Sequence, residues 1–259
     1  MAAANVARKA VQLQVRNGCA ILRMVKGENK WNGMFTHDFR TTLDQVERNP
    51  EVNFLIITGE GKFFSYGLDL PWIASQPFDV NAKFFAEGEA ILQRILTFPM
   101  PTIAAMNGHA FGNGAILALA CDYRVMRKGR GWFCLPETKI RLKFSYPILE
   151  IIKLKLGRGQ TLRDSAIFSK RYAAEEAVRA EIADAAVDET ELIDASIKLG
   201  QDIAGDGLDR EVVAAVKDKL YGAPFRERKA SQEKNVTQEE KLERLQAFIR
   251  GAQILSSKM

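Results

Sequence analysis

Two segments of this chain are apolar on both faces and end in glycine: VNFLIITG at residues 52–59 and PTIAAMNG at residues 101–108. Continuous apolar runs of this length are typical of strands buried on both sides of a sheet. Between them, residues 79–98 place phenylalanine, leucine and isoleucine at helical spacing, and CDYRVM at residues 121–126 returns to a strand pattern. This alternation of strands and helices predicts an α/β core.

The two ends of the chain differ in pattern. VQLQVRNGCAILRMV at residues 11–25 consists of two alternating runs around Asn17-Gly18, a dipeptide that strongly favours a hairpin turn. From about Tyr146 onward nearly every segment has helical spacing. We therefore expect an α-helical extension after the α/β core.

Composition excludes several classes of protein. The 259 residues are 47% hydrophobic and 27% charged, which is ordinary for a globular domain with a sizeable core. The net charge of +5 is mild and the acids are dispersed among the bases, so we expect no nucleic-acid surface, although an anionic small ligand would fit. No apolar run approaches the roughly 18 residues of a membrane span. Cys19, Cys121 and Cys134 lack metal-ligand spacing, which favours reduced structural thiols.

Both termini have features of targeting signals. The strand pattern starts near Val11, which leaves too few residues for a transit peptide. The last three residues, Ser257, Lys258 and Met259, differ by one conservative change from the Ser-Lys-Leu peroxisomal signal, in the one position where that signal works. We therefore predict a peroxisomal protein bound by the import receptor, with mitochondrion and cytosol as alternatives.

Two glycine-containing turns each follow a buried strand. They are GEGKFFSYGLDL at residues 59–70 and HAFGNGAILALACD at residues 109–122, and neither has the pattern of a phosphate loop. Each could simply be a strand-to-helix turn that needs a positive φ. Alternatively, each turn directs a backbone N–H into a shared cleft, where two such groups could form an oxyanion hole.

The segments FFSYGLDL, PTIAAMNGHAFGNGAILALACDYRVM and FCLPETKI, in this order, resemble the crotonase (enoyl-CoA hydratase/isomerase) superfamily. The resemblance covers roughly residues 10–190. It implies an α/β fold in which residues 1–195 form ββα units wound into a spiral with two facing sheets. Residues 196–259 are expected to form a C-terminal α-helical region. This region is expected to assemble the protein into a trimer or a pair of trimers. Apolar residues at helical spacing suit an interface helix there: Leu242, Leu245, Phe248, Ile249 and Ile254.

The resemblance also assigns the chemistry. It implies that the amides of Leu68 and Asn113 form the oxyanion hole, and that the glycines around them let a thioester approach the backbone. Family hydratases carry two glutamates, whereas this chain has Ile116 at the first position and Glu137 at the second. One carboxylate can move a proton between two carbons, which is the pattern of the Δ3,Δ2-enoyl-CoA isomerase branch. Glu137 is therefore the expected catalytic base.

Coenzyme A is implied as part of the substrate, with no separate cofactor and no metal. By position the resemblance assigns substrate and CoA contacts to Lys30, Trp31, Gly33, Ser65, Tyr66, Gly67, Leu68, Asp69 and Asn113. Lys26, Lys30 or Lys62 could meet the phosphates, since their charges suit. Trp72 and Phe111 are either walls of the acyl pocket or core residues. Asp69 and Asp122 are further expected to be turn and packing residues rather than catalytic acids.

Three features depart from the family pattern or could mislead. Arg141 stands where a glycine is expected after Glu137, and Pro147 is displaced. The sequence therefore does not define the shape of the acyl pocket. His109 lies beside the second turn, where we expect it to pack at a strand end.

Two other functions stay open from sequence: a hydratase or other CoA-thioester enzyme that uses an acid from elsewhere, and a non-catalytic protein that binds acyl-CoA or a protein partner.

Overall fold

The computed structural model describes residues 9–157, 159–205, 207–234 and 237–256, so the predicted targeting tail lies outside the described residues. The strands are β1 (Val11–Arg16), β2 (Cys19–Met24), β3 (Lys30–Trp31), β4 (Phe54–Gly59), β5 (Phe63–Ser65), β6 (Gly67–Leu68), β7 (Thr102–Met106), β8 (His109–Phe111), β9 (Tyr123–Arg127), β10 (Phe133–Cys134) and β11 (Ala185–Val187). The helices are α1 (Gly33–Arg48), α2 (Leu70–Ser75), α3 (Phe78–Leu96), α4 (Asn113–Ala120), α5 (Tyr146–Lys155), α6 (Gly159–Ala166), α7 (Ala174–Arg179), α8 (Leu192–Ala204), α9 (Arg210–Lys217), α10 (Ala223–Lys234) and α11 (Gln238–Ser256), with a 3₁₀ turn at Glu189–Glu191 and a π-helical turn at Asp218–Gly222.

The predicted hairpin is confirmed. Strands β1 and β2 pair antiparallel with Arg16 opposite Cys19, so Asn17 and Gly18 form a two-residue loop. Both loop residues have positive φ, 48° and 74°. This is the turn that Asn-Gly favours, because a type I′ turn needs a positive φ at both positions.

A six-stranded sheet forms the centre of the protein, in the order β1-β2-β4-β7-β9-β11. Every pair after the hairpin is parallel. Strands β4 and β7 are buried on both faces because residues such as Phe54 and Ile103 pack toward α8, while Leu55 and Ala104 belong to the larger core on the opposite side. This explains why these two strands are apolar without alternation.

The strands that follow the large-sheet strands build a second, smaller sheet. Strands β5, β8 and β10 pair in the order β10-β8-β5, each one turn after a strand of the large sheet, while β3 and β6 form a two-stranded ladder. Each ββα unit therefore contributes one strand to each layer, as the predicted spiral requires. Because β5 lies beside β8, the two glycine turns that follow them come together.

Helix α4 lies inside the protein. Its residues 114–120 are all buried, so it is apolar on every side rather than amphipathic. Gly114 lies against the backbone carbonyl of Ser65, where any side chain would collide with the turn after β5. The glycines before this helix therefore serve close packing as well as the turn.

The C-terminal helix α11 folds back onto its own chain. Phe248 packs edge-on against Phe85 of α3, with ring centroids 5.0 Å apart. The side chain of Gln253 reaches the carbonyl of Ala74 in the last turn of α2. Phe248 and Ile249, which we expected at an interface between subunits, are thus partly buried within one subunit, whereas Leu242 is exposed.

Other expectations concern boundaries and composition. The predicted division at residue 195 falls inside α8, whose Leu192 and Ala204 pack on the large sheet, and the division stays a prediction.

Cys19, Cys121 and Cys134 are free and buried. Burial raises the pKa of the Cys121 thiol to about 12. Within the described ranges, no helix combines the length and apolar character needed to cross a bilayer.

Candidate active site

One large cavity, of about 1890 Å³, opens beside the two glycine turns. Helices α3, α4 and α11 and the segment 136–149 surround it. Leu68, Asn113 and Glu137, the three residues predicted to be catalytic, all line this cavity. Elements from four distant parts of the chain therefore meet at the predicted site.

The first turn exposes a backbone donor at Leu68. Strand β6 pairs with β3, and the amide of Asp69 donates to the carbonyl of Trp31 at 2.9 Å. Because successive amides of a strand point in opposite directions, the Leu68 amide points away from β3. Gly67 has φ +98°, and this left-handed conformation allows the chain to turn between Ser65 and Leu68.

The second turn exposes a backbone donor at Asn113, the first residue of α4. Gly112 precedes it with φ +50°, and the carbonyl of Gly112 accepts the first hydrogen bond of the helix from Ile116 at 3.0 Å. The Asn113 amide has no partner within the helix, and it lies at the positive end of the helix dipole. This end of α4 therefore favours negative charge.

The two donors are brought together by close packing of the turns. A methyl group built on Gly67 would lie 3.1 Å from the amide nitrogen of Asn113 and would also collide with the carbonyl of Phe111. Only glycine at position 67 allows the turns to approach this closely. The geometry therefore agrees with a pair of amides facing one bound oxygen atom.

Glu137 lies next to this pair of turns. A methyl group built on Gly112 would lie 3.3 Å from Oε1 of Glu137. Oε2 is buried and has no hydrogen-bond partner. Burial raises the pKa of the Glu137 carboxyl from its usual 4.5 to about 7. A carboxylate with a pKa near neutrality can both accept and return a proton.

Ile116 faces the same cavity one turn into α4, and its side chain is 1% exposed. This side of the cavity is therefore apolar near Glu137. Other carboxylates among the described lining residues are Glu89 on α3 and Glu243 on α11. Glu89 accepts a hydrogen bond from the Ser145 hydroxyl at 2.8 Å. Glu89 is the less exposed of these two acids, so it is the one that a water-adding reaction could recruit.

The residues expected along the CoA path divide into two groups. Trp31 and Tyr66 line the cavity with Leu68 and Asn113, and Tyr66 is 38% exposed at its mouth. The Lys30 ammonium lies 5.3 Å above the Tyr66 ring, and it pairs with Glu28 at 2.6 Å. Lys30 and Lys26 line a smaller depression of about 250 Å³.

The remaining predicted residues support the turns. Ser65 is buried, and its hydroxyl donates to the carbonyl of Asn29 at 2.7 Å. Asp69 caps α2 by accepting from the amide of Trp72 at 3.3 Å, and it also accepts from the Asn32 side chain. Gly33 faces the ring of Trp72.

Asp122 and His109, an acid and a base expected to be structural, have structural surroundings. Asp122 accepts hydrogen bonds from the amide and hydroxyl of Thr102 and pairs with Lys217 at 2.5 Å. His109 packs against the rings of Phe63 and Phe111, and it does not line the cavity. Burial lowers the pKa of His109, and nearby cations lower it further.

The walls of the cavity clarify three open points. Phe111 lines the cavity, whereas Trp72 stands behind the wall, packed edge-on against Phe84 at 5.0 Å. Arg141 has φ +59°, a left-handed conformation that glycine adopts without strain. Pro147 lies at the start of α5 and also lines the cavity.

Sequence reasoning missed three residues that line the cavity. The guanidinium of Arg171 lies 5.1 Å from the Trp132 ring at the cavity mouth, and no local motif marks it. Gly88 of α3 is an isolated glycine inside a helical pattern, a signal that was available in the sequence. The spacing of Phe248 predicts a subunit interface, whereas its side chain lines the cavity.

Comparison with known proteins identifies the family. A family model described as enoyl-CoA hydratase/isomerase matches residues 16–249, and the chain belongs to that family. Enoyl-CoA delta isomerase 1, peroxisomal, from Arabidopsis thaliana is 32% identical over 212 residues, which cover 80% of this chain and 88% of that protein. Carnitinyl-CoA dehydratase from Salmonella enteritidis is 36% identical over 177 residues, which cover 68% of this chain and 65% of that protein.

The fold is shared with solved structures. The apo structure of an enoyl-CoA isomerase from Mycobacterium tuberculosis has a TM-score of 0.76 at 24% identity, and the match covers 94% of this chain and 97% of that one. This likeness shows the fold alone. The predicted family and the predicted crotonase fold are therefore confirmed, and the chain is a CoA-thioester enzyme of the crotonase family.

Proposed function

We propose that this protein isomerises 3-enoyl-CoA to 2-enoyl-CoA, a step in the breakdown of unsaturated fatty acids. The observation that supports this reaction best is the Glu137 carboxylate, whose buried Oε2 has no partner and which lies beside the two glycine turns in a cavity that the apolar Ile116 also lines. Similarity to an enoyl-CoA delta isomerase agrees with the proposal.

In the proposed mechanism, Glu137 removes a proton from C2 of the bound 3-enoyl thioester. The electron pair of the broken C–H bond moves toward the carbonyl and forms an extended enolate. The amides of Leu68 and Asn113 donate hydrogen bonds to the enolate oxygen. Protonated Glu137 then gives its proton to C4, so that the double bond moves to C2–C3. Proton and electrons balance without a co-reactant.

A single carboxylate is sufficient for both transfers because C2 and C4 lie on one face of a short acyl segment. The pKa of about 7 at Glu137 suits both halves of the reaction, since the same group must act first as a base and then as an acid. Water addition needs a second group to activate the water, and Ile116 offers none at its position on α4.

The CoA moiety is proposed to enter at the exposed mouth of the cavity. Tyr66 presents an exposed ring there, and the positively charged Lys30 and Arg171 lie over the aromatic faces of Tyr66 and Trp132. Their positive charges suit phosphate groups, and exposed rings suit an adenine base. Ser65 and Asp69 would act indirectly, by fixing the turns that hold the thioester.

A hydratase is the second candidate, because Glu89 lines the same cavity and a carnitinyl-CoA dehydratase is among the relatives. Glu89 would have to activate water together with Glu137. A side-by-side spectroscopic assay with a 3-enoyl-CoA and a 2-enoyl-CoA separates the two functions. We expect turnover of the first substrate and little hydration of the second. The opposite result would refute the isomerase proposal.

Location and assembly are proposed on separate grounds. The terminal Ser257-Lys258-Met259 sequence and the peroxisomal relative support import into peroxisomes through the import receptor. A homotrimer, alone or paired into a hexamer, is supported by an exposed apolar stripe of Val212, Val216 and Leu220, which are 59%, 49% and 57% exposed. Residues four apart on consecutive helical turns form one surface suited to another subunit.

A further inference from the structure

Gly88 is in an unusual place for a glycine. It lies in the middle of α3, where glycine is among the poorest helix formers. It is buried, yet a methyl group built on it meets no atom within 4 Å. A buried position that faces open space borders a cavity, and Gly88 lines the cavity that contains Glu137.

The part of the cavity around Gly88 is apolar and firmly walled. Phe84, Phe85 and Leu92 lie on the same face of α3 as Gly88, one turn before and one turn after it. The ring of Phe84 is held by Trp72, and the ring of Phe85 is held by Phe248 of α11. Side chains fixed in this way leave an open space that the protein does not fill by itself.

The cavity is about 1890 Å³, whereas a typical small-ligand pocket is roughly 300–1000 Å³. Tyr66 and Arg171 line the cavity beside the glycine turns, where an exposed ring and a positive charge suit the CoA half of a thioester. The space beside Gly88 has the opposite character and suits an unbranched hydrocarbon chain.

We propose that Gly88 determines acyl-chain length in this enzyme, and that the absence of a side chain there admits long fatty acyl groups between α3 and α11. The inference deepens the proposed function and depends on it for the identity of the reacting thioester. The binding measurement below tests it without any turnover.

Saturated acyl-CoA thioesters are suitable probes because they bind without reacting. We would measure the dissociation constants of hexanoyl-CoA and dodecanoyl-CoA by isothermal titration calorimetry. A fully buried methylene contributes about fourfold in affinity. Burial of three or four of the additional methylenes predicts that dodecanoyl-CoA binds about a hundredfold tighter. Equal affinities for the two probes would overturn the proposal without requiring any variant.

The variant test is Gly88→Leu, which fills the space and improves helix propensity. We expect dodecanoyl-CoA affinity to fall by about thirtyfold or more, while hexanoyl-CoA affinity changes less than about twofold. Gly88→Ala should have a small effect, because a methyl group fits. Ala90→Leu, on the exposed side of the same helix, is the matched control and should change neither value.

An equal loss of affinity for both probes in Gly88→Leu would refute chain-length control. Isomerase assays with 3-hexenoyl-CoA and 3-dodecenoyl-CoA then connect binding to reaction, and kcat/KM for the longer substrate should fall selectively in Gly88→Leu. If the wild type turns over neither substrate but shows the predicted binding ratio, the proposed reaction fails and the chain-length inference stands.

Discussion

Replacing Glu137 with glutamine should inactivate the enzyme and stabilise it at the same time. The carboxyl has a pKa of about 7 in the folded protein against a usual 4.5 because it is buried. Between these pH values the folded state keeps a proton that the unfolded state has lost. The free energy of unfolding therefore falls as pH rises through this window, and above it the buried, ionised carboxylate destabilises the folded state. Glutamine has nearly the same volume and does not ionise.

The size of the effect follows from the pKa difference. The interval between 4.5 and about 7 corresponds to about 3 kcal/mol of free energy of unfolding. The free energy of unfolding of Glu137→Gln should therefore exceed that of the wild type by about 3 kcal/mol at pH 8 and by about 1 kcal/mol at pH 5. Urea denaturation followed by circular dichroism, at one fixed protein concentration, measures both values.

Activity supplies the second half of this test. Glu137→Gln should lower isomerase turnover by about a hundredfold or more, because the base is lost, while acyl-CoA binding persists. In the wild type, kcat/KM should rise with pH and level off above about 7, since the free enzyme must hold Glu137 deprotonated. A stability difference that is the same at pH 5 and pH 8 would refute the burial argument. Near-normal turnover would show that the base lies elsewhere.

Three further predictions concern the backbone around the site. Asn113→Pro removes one amide donor at a helix position where proline is favoured, so turnover should fall by about a hundredfold or more with the fold retained. Asn113→Ala keeps the amide and should remain active. Equal activity of the two variants in the isomerase assay would exclude this donor. Gly114→Ala should lower the free energy of unfolding by about 1–3 kcal/mol through its collision with Ser65, measured by urea titration, and an unchanged midpoint would contradict the packing described. Arg141→Gly should raise the same free energy by about 1 kcal/mol by relieving a left-handed arginine, and a loss of stability would show that the arginine side chain makes a compensating contact.

Much of this fold was predictable because local patterns and global structure agree. The Asn17-Gly18 hairpin and the apolar strands β4 and β7 follow from turn chemistry and burial alone. The placement of Glu137 beside Gly112 was predicted only through family resemblance, since nothing in the local sequence specifies that contact.

The rest depended on long-range packing. The spacing of Phe248 predicts an apolar helix face, and the same spacing serves a partner subunit or the enzyme's own cavity equally well. Its contact with Phe85 joins residues separated by more than half of the chain, so periodicity could not select between these surfaces. Arg171 lies between α6 and α7, where no local motif marks a residue that lines the cavity.

Because the two donors at Leu68 and Asn113 are main-chain groups, ordinary side-chain substitutions leave them in place, and proline is the exception. Evolution and protein engineering can therefore change the reaction through a few side chains, such as Ile116 and Glu137, without rebuilding the group that stabilises the enolate. In the proposed mechanism, backbone donors stabilise the thioester enolate, whereas side chains decide which atom then receives the proton. On this view the crotonase architecture is a reusable enolate-binding scaffold, in which new acids and bases can be tried one at a time.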